Sequence, residues 1–91
     1  MSRLLQVTYS QGKPWVAYLQ FSRKLGEKAV RTQEVSAGIL IDFASDGRPM
    51  GVEILSPSQV ELTAFNRILH SLGLPLATPE ELAPLHTAAV Q

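Results

Sequence analysis

Apolar and polar positions alternate along the first half of the chain and change to helical spacing in the second. Leu5-Gln6-Val7-Thr8-Tyr9 alternates as a half-buried strand should, and Ser10-Gln11-Gly12-Lys13-Pro14 is turn chemistry. Trp15 to Phe21 then places Trp15, Ala17, Leu19 and Phe21 on one face, read as core, and Val16, Tyr18 and Gln20 on the other. The stretch from Ala29 to Val35 is more polar and fits a strand near an edge. Ser36-Ala37-Gly38 supplies a tight turn, with Gly38 suited to the positive-φ position of a bulged hairpin.

The next turn predicts a register. Asp46-Gly47 is a preferred pair for a two-residue type I′ hairpin. That turn pairs Phe43 with Met50, Ile41 with Val52 and Ile39 with Ile54 on one face. It also sets Pro49 opposite Ala44 at a non-hydrogen-bonded position, where a missing N–H costs no rung.

Ser56-Pro57-Ser58-Gln59 carries the marks of a helix start: a capping serine, a proline at the first helical position and an S-x-x-Q capping box. Leu62, Phe65, Ile68, Leu69 and Leu72 follow as one stripe, and Gly73 and Pro75 end the element. Thr78-Pro79-Glu80-Glu81 opens a short second piece with Leu82 and Leu85, which Pro84 keeps to a turn or two. The expected fold is therefore α+β: an antiparallel β-meander of four to five strands packed on one face by a C-terminal helix over about 57–72, plus a short C-terminal helical appendage and tail over 76–91. The whole is read as a single domain, residues 1–91.

Composition narrows the function classes. Hydrophobic residues make up 45% and charged residues 18%, a globular balance. The absence of cysteine removes disulfides and thiolate metal sites, so core packing and association must stabilise the chain. The sequence has no signal-peptide pattern and no run long enough to span a bilayer, and the expectation is a cytoplasmic protein with no membrane partner. Net charge is zero but uneven. Through Arg31 the chain holds six cations against Glu27, net +5, and beyond it two cations against seven acids, net −5. A basic hairpin tip, Arg23, Lys24 and Lys28 with Arg31 beside it, is the candidate patch for nucleic acid.

The run Thr32-Gln33-Glu34-Val35-Ser36-Ala37-Gly38-Ile39-Leu40-Ile41-Asp42-Phe43, then Asp46-Gly47 and Gly51-Val52-Glu53-Ile54-Leu55, resembles the small prokaryotic family known as domain of unknown function 2283. Tyr9 and Tyr18 are similar in placement to aromatic positions of that family's N-terminal strand pair. The resemblance spans roughly residues 5–60. One departure is Ser10, which stands where the family carries an acid in the first turn. The resemblance implies a fold and no activity. A place beside small toxin-like genes, and so an antitoxin-like role, is the faintest of its implications.

Candidate chemistry is sparse. Asp42 and Glu53 should point away from the helix-covered face, where paired carboxylates can divide acid and base roles or hold a hard cation. Two exposed acids without a third ligand are ordinary surface, so no catalytic, cofactor or metal residue is assigned. His70 and His86 lie outside any metal spacing, and no nucleophile elbow or phosphate loop is present. The second sheet face is more informative. Val16, Tyr18, Leu40 and Leu55 make it partly apolar where one helix cannot reach, and such patches mark interfaces. The reading is a non-enzymatic protein-interaction module, a homodimer or the binder of a small protein partner. A nucleic-acid regulator using the basic tip, or a small metal or ligand binder using Asp42 and Glu53, are the alternatives.

Overall fold

The computed structural model describes residues 3–21 and 25–86. Among the described residues there are five strands: β1 (Leu4–Ser10), β2 (Lys13–Gln20), β3 (Arg31–Ser36), β4 (Ile39–Phe43) and β5 (Pro49–Ile54). They form one antiparallel sheet in the order β1-β2-β5-β4-β3. This corrects the expected meander. Only β3-β4-β5 is one, and the β1-β2 hairpin joins it along β5, so β2 and β3 are neighbours in sequence but not in space. The placement follows from burial. β2 and β5 supply Ala17, Leu19, Val52 and Ile54, all fully or nearly buried, and the sheet sets these strands side by side at its centre.

Three turns set the local registers. Gln11 (φ 54°) and Gly12 (φ 78°) are both left-handed, so the β1-β2 hairpin turns through a two-residue type I′ loop. At the β4-β5 turn only Gly47 is left-handed (φ 87°). The Gly47 N–H donates to the Ala44 carbonyl at 2.9 Å and the Ala44 N–H to the Arg48 carbonyl at 2.8 Å. That is a three-residue loop with a glycine bulge, not the type I′ turn expected at Asp46-Gly47. The extra residue moves the register at one end. Ile39–Ile54 and Ile41–Val52 pair as expected, but Phe43 faces Pro49 instead of Met50. Between β3 and β4 the sheet is bulged at Val35, with Gly38 at φ 75°.

A further bulge overturns the assignment of Trp15. Thr8 pairs with Val16 and Tyr9 with Pro14, which leaves Trp15 unpaired. Such a bulge breaks the two-residue alternation and re-aims its side chain. Trp15 is 61% exposed, whereas Ala17, Leu19 and Phe21 are buried.

The long helix also starts later than its capping box implies. Pro57–Gln59 is a lone 3-10 turn, Ser56 makes no side-chain cap, and α1 runs Leu62–Ser71 behind an uncapped Glu61. A continuous helix would align Pro57, Glu61, Phe65 and Leu69 at four-residue spacing. Pro57, Phe65 and Leu69 are buried, so that stripe would drive the Glu61 carboxylate into the core. The extended backbone at Val60 (ψ 126°) prevents this and leaves Glu61 exposed.

The second start signal is used as read. Thr78 caps α2 (Pro79–Leu82), accepting the Glu81 N–H at 3.1 Å, and Pro84 falls in a 3-10 turn at Ala83–Leu85. Phe65 and Leu69 of α1 join Ala77, Leu82 and Leu85 in one buried cluster with Ala17, Leu19, Ile39, Ile41, Val52 and Ile54. Side-chain bonds tie this C-terminal segment down. Asn66 grips Ala77 by both its N–H (2.6 Å) and its carbonyl (3.1 Å). Arg3 forks onto Glu81 at 2.7 and 2.9 Å and donates to the Pro75 and Leu76 carbonyls.

Candidate interaction face

The helical residues share the core with one face of the sheet, here called inner. The opposite, outer face carries Val16 and Tyr18 of β2, Gly51 and Glu53 of β5, Leu40 and Asp42 of β4, and Thr32 and Glu34 of β3, as the strand registers dictate. Val16, Tyr18 and Leu40 are half-buried there, and Leu55, just beyond β5, is 44% exposed. All four candidate interface residues therefore keep accessible apolar surface. Glu53 lies between two of them, paired with Tyr18 on one side and Leu40 on the other.

The two tempting carboxylates part company. Asp42 faces Gly51 and Glu53 faces Leu40, as the hairpin register implies. Asp42 is the acceptor of a cross-sheet ladder. Tyr18 donates its hydroxyl to Asp42 Oδ2 at 3.0 Å, and Thr32 donates to Oδ1 at 2.6 Å. The bond from Tyr18 spans from β2 to β4 and must pass over β5, and the residue beneath it is Gly51. A Cβ built there would sit inside the Tyr18 ring and hydroxyl. Gly51 is thus needed for close approach, with no unusual φ required. The ladder fixes the aromatic ring flat against the sheet, which sequence reasoning missed. Its signal was a glycine flanked on both neighbouring strands by hydrogen-bonding side chains. Among the described residues no group of three or more His, Cys, Asp or Glu side chains is placed to hold a metal ion.

The basic patch is only partly within view. Arg23 and Lys24 lie outside the described residues, and Lys28 is exposed. Arg31 stacks on the Phe43 ring, 4.1 Å from its centroid, and donates to Gln33 at 2.8 Å. Its guanidinium covers the inner-face end of β4. Glu27, the lone acid near the tip, pairs with Arg48, which also binds Asp46 at 3.0 Å. The hydrogen bond that Arg48 donates to the Glu27 carboxylate pushes the Arg48 pKa above its ordinary value. His70 and His86 are both exposed and far apart in the sequence.

A cleft of about 430 Å³ opens where the β3-β4 turn meets the start of α1. Val35, Ile39, Val60, Phe65 and Ile68 line it, with Glu61 and Arg67 among its polar walls. The delayed helix start creates it, so the sequence pattern had no sign of it. Among the described residues no helix is long and apolar enough to cross a membrane.

A family model described as protein of unknown function (DUF2283) matches residues 16–58, from β2 through the 3-10 turn. β1, with Tyr9, lies outside the match. No curated protein and no solved structure matches the chain.

Proposed function

The chain belongs to the DUF2283 family, a membership that brings no activity, and from that premise we propose that it is a protein-interaction module whose outer sheet face docks on another protein. One observation carries the reading. Phe65, Leu69, Leu82 and Leu85 all join the inner-face cluster, while Val16, Tyr18, Leu40 and Leu55 keep apolar surface on the other side. Among the described residues the C-terminal segment does not offset that imbalance, because Ala77, Leu82 and Leu85 are already spent on the inner core.

The Tyr18–Asp42–Thr32 ladder supports the same reading. A tyrosine locked flat loses little freedom when a partner covers it, and rigid aromatic anchors are favoured at interface centres. Glu53 and Glu34 on this face select a partner with matching cations, which steers encounter and register. Trp15, exposed on the bulge next to Val16, extends the contact.

The test is affinity capture from the source organism with two baits, the native chain and the Leu40→Glu/Leu55→Glu double variant, both checked for fold by circular dichroism. A protein held in stoichiometric amount by the native bait and lost by the variant is the expected result. Identical captures by both baits would overturn the assignment to the outer face.

A further inference from the structure

The sheet is open, and its two edges are not alike. β3 carries the devices that keep an edge from pairing: Arg31 and Glu34 along its length and a bulge at Val35. β1 has none of them. Leu4-Leu5-Gln6-Val7-Thr8-Tyr9-Ser10 contains no charge and no proline, and the bulge of the β1-β2 hairpin lies on β2, at Trp15. An edge strand has one row of backbone N–H and C=O groups facing away from its neighbour, a template for another extended strand. Two exposed leucines flank this edge: Leu4, 54% exposed, and Leu76, 55% exposed, whose carbonyl Arg3 holds next to the start of the strand.

We propose that β1 pairs antiparallel with β1 of a second copy, joining two five-stranded sheets across a two-fold axis normal to them. The occupant follows from the side chains. A two-fold in this direction keeps inner face with inner face, so residues facing each other must share a face. Centring it on Gln6 sets Gln6 against the partner's Gln6. On the inner face Leu5 then meets the partner's Val7, twice over, and both residues are only half-buried in one copy. The same strand that leaves these apolar positions only half-covered by the core is their complement, and no charge on it opposes the pairing. The inference rests on the interaction-module reading in one respect: the joined sheets present two outer faces as one surface, with Val16 and Tyr18 one strand from the seam on each side.

The chain contains no cysteine, so the register can be tested by cross-linking. Facing residues of paired antiparallel strands lie about 4.5–5.5 Å apart at Cα, inside the range a disulfide spans. Gln6→Cys, at an exposed position, should form a covalent dimer in most of the protein under mild oxidation, while Gln33→Cys on β3 stays uncross-linked. Light scattering should give the native chain twice its 9.9 kDa mass. Gln6→Lys, which opposes two like charges at the axis, should raise the dissociation constant at least about tenfold with the circular dichroism unchanged. A native chain that stays monomeric at roughly 1 mM overturns the edge pairing and leaves the outer-face reading to its own capture test. A dimer indifferent to Gln6→Lys but dissolved by Leu40→Glu/Leu55→Glu also overturns it, and places the second copy on the outer face. Equal cross-linking by Gln33→Cys would count against a specific β1 seam.

Discussion

Gly51 and Tyr18 show how one absent methyl group sets a surface. Tyr18 can reach Asp42 only by crossing β5 where there is no side chain. Gly51→Ala should therefore expel the ring and lose its hydrogen bond to Asp42, at a cost of about 0.5–1.5 kcal/mol in urea unfolding. In a Tyr18→Ala background the same change should be close to neutral, and that non-additivity separates the ladder from any general cost of altering β5. Asp42 could be read as outward-facing from the alternation, but its partners could not. They come from strands on both sides, ten and twenty-four residues away in sequence. The alternation of β2 was legible for Ala17, Leu19 and Phe21 and failed at Trp15. A bulge depends on two strands together and leaves no mark on either alone.

Among the elements, α1 and the C-terminal segment carry the sharpest expectations. The Glu61 side chain makes no cap, so Glu61→Ser should stabilise the protein by about 0.5–1 kcal/mol, measured by thermal or chemical unfolding. Asn66 serves as the clamp between α1 and Ala77, and Asn66→Ala would leave two backbone groups without their partner. That should cost about 1–3 kcal/mol and speed amide exchange at Ala77 ahead of the sheet amides. Thr78's cap was readable because its partner is three residues away. Ser56's was not used, because the decision at Val60 depended on where Glu61 would fall against the sheet. Local chemistry proposes a helix start; burial of its neighbours accepts or refuses it.

For the molecule as a whole, the C-terminal segment is part of the core. Leu85 is fully buried beside the inner-face residues, and Leu85→Ala should cost about 2–5 kcal/mol, comparable with Leu69→Ala, in a single unfolding transition. Leu76→Ala, at a position more than half exposed, should change stability by less than about 0.5 kcal/mol. A separate low-stability transition for residues 74–86 would show that this segment is only loosely attached. Its described residues are buried on the inner side, and Val16, Tyr18, Leu40 and Leu55 on the outer face keep accessible surface.

The amino-acid sequence by itself determined the strand positions, the inner and outer faces of β4 and β5, the left-handed glycines at the turns, the stripe on α1 and the cap of α2. Each of these rests on residues within a few positions of one another, whose sterics and periodicity act before the chain folds. The order of the strands, the bulges, the delayed start of α1, the Asn66 clamp and the cross-sheet ladder were decided by tertiary structure. They depend on which distant segments compete for the same buried surface, and the pattern along one segment does not contain that competition.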